Sequence, residues 1–357
     1  MLLRRTNFRG AIVMATAKRS ALVLQGGGAL GAYELGAARA LYEHDDFSPD
    51  IVAGVSIGAI TAALLARPGK GLKPLQALEE FWRKVGVSGV LLPPPLREYA
   101  SLYGNPNFYT PRLDYFAYPT WTNIYDTHPL RRTLAQLVDV EALVDPHTAP
   151  GLLVSATNVM EGQIKYFYSG DDGLKIDHIV ASGSLPPSFP MTEIDHVNYW
   201  DGGLFDNTPL GAVLDHLDKT PGVERTVYVV NLFPNKAPLP RNLLEVNERV
   251  QSLQFANKTA EDVKMLVRID EVAALMEALE KLPGGNPLAG DPAYQAVAER
   301  EYVRVPKIIE ITRPDLVGGF DASDFSPWTI EARAKEGYEQ TKKALDAPAA
   351  SLRAAAA

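Results

Sequence analysis

Ser56 lies at the junction between a strand pattern and a helix pattern. Residues 51–55 form a short apolar, mostly β-branched run typical of a buried strand, and residues 57–66 are rich in Ala, Leu and Ile. Gly54 and Gly58 flank the serine in a G-x-S-x-G spacing, because a strand that turns directly into a helix crowds the backbone. Such a turn exposes the serine at the carboxyl end of the strand, in front of a helix N-terminus. The pattern predicts a nucleophilic serine.

A second glycine-rich turn precedes it, between the apolar run at residues 20–24 and a helical pattern over residues 30–44. A strand, a glycine loop and a helix N-terminus together make an anion site, because backbone N–H groups point outward and glycines let the anion approach closely. The anion is either the oxyanion of acyl transfer or a dinucleotide phosphate. The glycines are Gly26, Gly27, Gly28 and Gly31.

The dinucleotide alternative rests on the G-x-G-x-x-G spacing of these glycines and would make the chain an oxidoreductase. That class of protein needs an acidic residue at the end of the second strand to bind the ribose. Here the second strand ends at Ser56, and the nearby acidic residues all precede it. We therefore favour an oxyanion hole beside the Ser56 hydroxyl. Its expected donors are the backbone N–H groups of Gly26, Gly27, Gly28 and Ile57.

The base that activates the serine is less evident from the residues alone. A Ser-His-Asp triad in the usual hydrolase order places its histidine after the acid. Only His216 follows Asp201, and it lies in a helical pattern typical of a solvated face, whereas His196 precedes that aspartate. Gly202 and Gly203 follow Asp201, which by itself is typical of an ordinary β-turn. At this point a dyad and a triad both remain open.

Four blocks, taken together, resemble the patatin-like phospholipase family. Each block alone is a weak signal, and their order and spacing are specific. The likeness covers roughly residues 20–66 and 150–235. The blocks are Gly-Gly-Gly-Ala-Leu-Gly at 26–31, Gly-Val-Ser-Ile-Gly at 54–58, Ala-Ser-Gly-Ser-Leu-Pro-Pro-Ser-Phe-Pro at 181–190 and Trp-Asp-Gly-Gly at 200–203.

The resemblance implies a Ser56–Asp201 dyad without histidine, in which Asp201 is the general base and Gly202 and Gly203 form the tight turn that carries it. It implies a serine lipid acyl hydrolase (a phospholipase A, lysophospholipase or esterase) that releases fatty acid through an acyl-enzyme. The substrate would be a lipid ester, reached at a membrane surface, and neither a metal nor a cofactor would be needed. An acyltransferase with the same nucleophile and the dinucleotide-binding oxidoreductase stay as alternatives.

Composition limits the kinds of binding partner and site that the chain could have. The chain has 357 residues, 46% of them hydrophobic, with a formal net charge of −8 and no cysteine. The acidic balance gives no general attraction to nucleic acid, and the absence of cysteine excludes disulfides and thiolate metal sites. No apolar run approaches the length of a transmembrane helix. Homo-oligomerisation stays open.

Alternating strand and helix patterns predict an α/β fold with a mostly parallel central sheet covered by helices on both faces, in three layers. We expect a disordered leader at residues 1–18, whose apolar stretch is too short for a cleaved signal peptide, and hence a cytoplasmic protein, at most peripheral to a membrane. The catalytic domain is expected at 19–235, with an aromatic and Pro-rich insertion at about 86–129. A mainly helical extension that packs or dimerises follows at 236–346, and a disordered tail at 347–357.

The insertion and the extension carry two further expectations. Nine aromatic residues fall between Tyr99 and Tyr125, and we expect some to pack the insertion onto the core and others to contact the acyl chain. In the extension, the pattern predicts two separate helices over 242–257 and 259–282, a late strand and a last helix.

Overall fold

A computed structural model of the chain describes residues 18–87, 103–220, 223–234, 236–300, 307–314 and 321–347. The predicted leader, apart from Lys18, and the predicted tail, apart from Ala347, lie outside these residues. Tyr99 of the aromatic insertion lies outside them as well.

The apolar run at residues 20–24 lies in a strand, and that at 51–55 forms a strand up to Gly54, as predicted. The strands are β1 (Lys18–Leu24), β2 (Ile51–Gly54), β3 (Thr110–Pro111), β4 (Tyr125–Asp126), β5 (Gly151–Asn158), β6 (Gln163–Tyr168), β7 (Thr192–Ile194), β8 (Val197–Asp201), β9 (Glu224–Asn231) and β10 (Lys307–Thr312).

Helices follow strands β1, β2, β4, β6, β8, β9 and β10 in the chain. They are α1 (Ala32–Tyr42), α2 (Ile57–Ala66), α3 (Pro74–Val85), α4 (His128–Leu137), α5 (Val140–Val144), α6 (Ser169–Asp172), α7 (Ile176–Ser182), α8 (Leu210–His216), α9 (Leu243–Glu280), α10 (Pro292–Ala298) and α11 (Pro327–Asp346). Among the described helices, none combines the length and the apolar composition that crossing a bilayer requires.

Within the described residues, eight strands form one mixed sheet in the order β10-β9-β1-β2-β5-β8-β7, with β6 paired to β5. The five strands from β10 to β5 run parallel, whereas β6, β8 and β7 pair antiparallel. Both faces of β1 are buried, since Ala21 and Val23 pack towards α8 and α9 and Leu22 and Leu24 pack towards α1, α2 and α3. This three-layer arrangement confirms the predicted fold class.

The part of the chain after residue 235 takes part in the same sheet and core. Strand β10 pairs in parallel with β9 and extends the sheet by one strand. Helix α11 packs along α1, and its Ile330 and Ala334 belong to the main hydrophobic core. The sequence pattern gave no sign of this pairing, because a hydrophobic strand and an amphipathic helix do not reveal which surface they cover.

Helix α9 differs from the prediction of two helices. It runs without interruption from Leu243 to Glu280, so the predicted break near Lys258 was wrong. The stretch contains neither glycine nor proline, and a change in hydrophobic pattern alone does not end a helix.

Close contact between α1 and α11 depends on two glycines. A Cβ atom at Gly36 would overlap the carbonyl oxygen of Ala334, and one at Gly337 would overlap that of Tyr33. Gly337→Ala is therefore expected to push the helices apart and to lower the free energy of unfolding by about 1–3 kcal/mol, the usual range for overpacking. Urea unfolding followed by circular dichroism measures this change.

Gly211→Ala on α8 is the matched control. Gly211 is exposed, and a Cβ atom there would meet no atom within 4 Å. The same substitution should leave stability unchanged or raise it by up to about 1 kcal/mol, because alanine favours helix over glycine. Equal stabilities for the two variants would contradict the close helix packing.

Candidate functional site

Ser56 occupies the sharp turn between β2 and α2. Its backbone has φ 56° and ψ −121°, a positive φ that non-glycine residues adopt rarely and that often marks a functional site. Gly54 and Gly58 make the turn possible, since a Cβ atom at residue 54 would overlap the Gly58 carbonyl and one at 58 would overlap the Leu24 carbonyl. The two glycines of the G-x-S-x-G pattern thus stand at two close backbone contacts that leave no room for a side chain.

Sheet register brings Asp201 to this turn. Strand β5 pairs with β2 through residues 151–154 and with β8 through residues 156–158. Strand β6 pairs with both of these parts of β5 and therefore lies along the other edge of β5. Strand β8 lies on the same edge of β5 as β2, beyond the point where β2 ends. Asp201 lies opposite Ala156, and the chain end of β8 therefore meets the turn that carries Ser56.

The Asp201 carboxylate lies within reach of the Ser56 hydroxyl, whose interaction with it lowers its pKa. It also accepts the backbone N–H of Gly203 at 2.7 Å, and only 2% of the residue is exposed. Burial raises the pKa of Asp201 to about 7, against the opposing effects of Ser56 and of the Gly203 N–H. A carboxyl group with a pKa near 7 is able to take up a proton at neutral pH.

The glycines after Asp201 leave room for the carboxylate. A Cβ atom at Gly203 would lie 3.1 Å from Asp201 Oδ1 and 2.8 Å from Asn207 Oδ1. A Cβ atom at Gly202 would lie 2.6 Å from the carbonyl oxygen of Ser155 in β5. Both positions therefore require glycine for close approach, and the structure brings this turn together with Ser56.

The first glycine loop packs against the same turn. A Cβ atom at Gly26 would lie 3.0 Å from that of Ser56, and one at Gly31 would lie 2.6 Å from Ile57 Cγ1. Gly28 has φ +57° and faces the carbonyl oxygen of Ala322. The loop continues into a short 3-10 turn over residues 28–31, whose end leads directly into α1.

The backbone N–H groups of the loop differ in their partners. That of Gly26 donates to the Asn207 carbonyl oxygen at 3.4 Å, and that of Ser56 donates to Ser182 Oγ at 3.0 Å. For the N–H groups of Gly27, Gly28 and Ile57, the described residues provide no acceptor. Gly27 and Gly28 are half-buried, and Ile57 is buried at the start of α2.

Three residues that support the site did not stand out as functional in the sequence. Asn207 Nδ2 donates to the Gly26 carbonyl at 3.0 Å, and Ser182 Oγ holds the Ser56 N–H. The Gln25 side chain is fully buried and accepts the N–H groups of Leu232 and Phe233 at 2.7 and 3.0 Å. Gln25 offers a signal as a polar residue that directly extends an apolar strand pattern, and Ser182 lies in the block at 181–190 that resembles the family.

The histidines do not contact the Ser56–Asp201 pair in the described residues, which include all six of them. The His196 side chain is 99% exposed beside Glu193, and the His216 ring stacks on Tyr168 with 4.2 Å between centroids. His178 Nδ1 accepts the Lys175 N–H at 2.8 Å. Among the described residues, no group of His, Asp and Glu side chains is arranged to hold a metal ion.

The aromatic insertion is divided between core and surface. Phe108 and Tyr109 are buried against Phe189, which follows the proline pair at 186–187, with ring centroids 6.2 and 5.4 Å away. Phe116, by contrast, is 92% exposed. Packing of part of the insertion onto the core agrees with expectation, and contact with an acyl chain stays a prediction.

Comparison with known proteins defines the family. The model of the patatin-like phospholipase family matches residues 22–214, more than half of the chain, and the chain belongs to that family. A patatin-like phospholipase domain-containing protein of Chaetomium globosum is 42% identical over 73 residues, which cover 20% of this chain and 8% of that protein.

Two solved structures are similar at low identity. VipD from Legionella pneumophila is 18% identical, with a TM-score of 0.40, over 93% of this chain and 67% of that one. ExoU from Pseudomonas aeruginosa, in its complex with SpcU, is 18% identical, with a TM-score of 0.32, over 96% of this chain and 75% of that one.

Proposed function

We propose that this chain is a serine lipid acyl hydrolase, a phospholipase A, lysophospholipase or esterase, that releases fatty acid from an ester lipid. The observation that carries the proposal is the placement of the Ser56 hydroxyl beside the buried carboxylate of Asp201, where it lowers the pKa of that carboxylate. Membership of the patatin-like phospholipase family supports an ester lipid as substrate.

In the proposed mechanism Asp201 removes the Ser56 proton as Oγ attacks the ester carbonyl carbon. The carbonyl π electrons move to oxygen, and collapse of the tetrahedral intermediate breaks the bond to the alcohol, which leaves with the proton from Asp201. An acyl-Ser56 ester remains. Asp201 then deprotonates a water molecule that attacks this ester, and fatty acid leaves as Ser56 regains its proton.

The oxyanion is proposed to bind the N–H groups of Gly27, Gly28 and Ile57, assisted by the N-terminus of α2. These groups border Ser56 and have no acceptor among the described residues. The N–H of Gly26 already donates to Asn207, so the proposed role of Gly26 is to allow close approach of the loop to Ser56.

The pH dependence of the reaction follows from the state of Asp201. Because the base must be ionised and burial raises its pKa to about 7, kcat/KM should rise with pH through about 7 and then level off. Hydrolysis of a chromogenic ester between pH 5 and 9 measures this profile. A profile that is flat between pH 5 and 8 would contradict Asp201 as the base.

Stability should change in the opposite direction. Folding raises the Asp201 pKa from 3.8, so its contribution to stability is complete below pH 3.8 and is lost as the pH rises through about 7. Burial also raises the pKa of Glu34 to about 8, which adds to the same loss of stability without affecting the catalytic base. Thermal unfolding over the same pH series gives the comparison.

Replacing the histidines one at a time tests whether the general base is the Asp201 carboxylate of a dyad or a histidine of a triad. Each single His→Ala variant should keep ester hydrolysis within roughly tenfold of wild type, since loss of a general base lowers the rate by about 10²–10⁴. His196 and His216 come first, because they are nearest to Asp201 in sequence. A loss beyond a hundredfold in a folded variant would indicate a triad.

Two assays separate the function classes. Wild type should release fatty acid from phosphatidylcholine or lysophosphatidylcholine, or hydrolyse a short acyl ester, without added cofactor. NAD at millimolar concentration should leave the melting temperature unchanged, since a ligand that binds the native state raises it. Stabilisation by NAD without ester hydrolysis would favour the dinucleotide-binding oxidoreductase, and transfer of the acyl group to an added alcohol would indicate an acyltransferase.

A further inference from the structure

Arg333 connects the last helix of the chain to the glycine loop. It lies in the second turn of α11, and only 4% of the residue is exposed. Its Nη1 donates to the carbonyl oxygen of Ala29 at 2.9 Å and to that of Asp324 at 3.0 Å. Ala29 directly follows Gly28, so a residue 304 positions later in the chain contacts the turn that presents the proposed oxyanion donors.

A loop of three consecutive glycines needs such contacts to keep one conformation. Glycine has the greatest backbone freedom of any residue, whereas an oxyanion hole works because its donors are already aimed before the reaction. Asn207 fixes the start of the loop through both backbone groups of Gly26. The far end, after Gly28, meets the carbonyl of Ala322 and the guanidinium of Arg333.

Arg333 is itself held in place from two sides. Its helix packs on α1 through the Gly36 and Gly337 contacts, which fix the position of the helix backbone. Asp324 links the segment before α11 to the first turn of that helix. Its carboxylate accepts the N–H of Ser326 at 2.9 Å and the hydroxyl of Thr329 at 2.7 Å. The guanidinium therefore connects the Ala29 carbonyl of the glycine loop to the Asp324 carbonyl of the segment before α11.

We propose that Arg333 is a positioning residue that holds the glycine loop in its oxyanion-binding conformation, so that the segment from residue 321 to residue 333 belongs to the catalytic machinery. The proposal rests on the proposed function through the assignment of Gly27 and Gly28 as oxyanion donors. Hydrogen bonds from a charged guanidinium to a carbonyl are stronger than neutral ones, which suits this role.

The test compares Arg333→Met with two other variants. Arg333→Lys keeps the charge and a donor on a shorter side chain. Arg313→Met is the matched control, because Arg313 is equally buried and its guanidinium lies 3.7 Å from the Glu336 carboxylate of the same helix α11. All three are compared with wild type by ester kinetics, thermal unfolding and hydrogen–deuterium exchange of the peptide that contains residues 26–31.

Arg333→Met should lower kcat about 10- to 100-fold, less than the 10²–10³ that loss of an oxyanion donor itself causes. KM should stay within about threefold, because the oxyanion contacts form in the transition state. Exchange in the 26–31 peptide should become faster. Arg333→Lys should fall between wild type and Arg333→Met, and Arg313→Met should keep kcat within about threefold and the loop exchange of wild type, whatever its melting temperature.

The proposal is overturned if loop exchange in Arg333→Met equals that of wild type, or if Arg313→Met lowers kcat as much as Arg333→Met. Hydrogen–deuterium exchange of the 26–31 peptide is measured without any enzyme assay. The proposed role of Arg333 and the proposed function can therefore be refuted independently of each other. A wild-type protein with no esterase activity, whose loop nevertheless loosens in Arg333→Met, would refute the proposed function and support the contact made by Arg333.

Discussion

Ser56→Ala is expected to lower kcat/KM for an ester substrate by at least about 10³-fold while the protein stays folded. The hydroxyl is the attacking atom in the proposed reaction. The Thr157 hydroxyl also contacts Asp201, but it donates to the backbone carbonyl oxygen at 2.8 Å and not to the carboxylate. Alanine can occupy the same turn, because the neighbouring glycines, and not the serine side chain, remove the backbone overlaps at 54 and 58.

Ser48→Ala is the matched control for this variant. Ser48 is exposed in the connection between α1 and β2, and its hydroxyl has no part in the proposed mechanism. Its activity should remain within about twofold of wild type. Residual hydrolysis by Ser56→Ala above one hundredth of the wild-type rate would mean that another group carries the acyl chemistry.

Asp201→Asn should reduce activity as completely as Ser56→Ala. The amide keeps the size of the side chain and can still accept the Gly203 N–H, but it cannot take a proton from Ser56. In the proposed mechanism the two residues act as one unit, so the double variant should be no less active than either single variant, whereas independent contributions would multiply. Steady-state kinetics on the three variants measures this coupling.

Asp201→Asn should also raise stability above pH 7. The buried carboxylate is ionised there, and its raised pKa means that the folded state holds this charge less readily than the unfolded chain does. Removing the charge removes that penalty, as is common when a catalytic group is replaced. A melting temperature at pH 9 below that of wild type would contradict the unfavourable burial of this charge.

Asp206→Asn provides the comparison for the same chemical change nearby. Asp206 is half-buried, and its carboxylate accepts the Tyr166 hydroxyl at 2.6 Å and the Thr208 N–H at 3.2 Å. It lies outside the contacts of Ser56, so its replacement should change kcat/KM by less than about fivefold. A large loss in Asp206→Asn alone would transfer the role of base away from Asp201.

The backbone conformation of the site could be predicted from the sequence. Its glycines stand where the Cβ atom of any other residue would overlap neighbouring atoms, so their spacing indicates the turn. Gly54 and Gly58 predicted the turn at Ser56 correctly, and the loop from Gly26 to Gly31 was expected to lie beside it. Both are local patterns in which the residue types and the backbone geometry determine each other.

The residues that support the site through long-range contacts could not be predicted from the sequence. Asn207, Ser182 and Arg333 act through contacts between segments far apart in the chain, and a single polar residue carries no mark of its future partner. The same reason explains the last strand and helix, whose patterns were recognised but whose place beside β9 and α1 was not. Hydrophobic periodicity identifies a buried face without identifying what covers it.

A fluorophosphonate probe, followed by peptide mass mapping, tests the central claim most directly. Such a probe forms a covalent bond only with a serine that is activated as a nucleophile. Wild type should carry one adduct, on Ser56, and Asp201→Asn should react at least about 10²-fold more slowly, since the base is missing. Labelling of another residue, or labelling that persists in Ser56→Ala, would contradict the assignment of Ser56 and Asp201 as the catalytic pair.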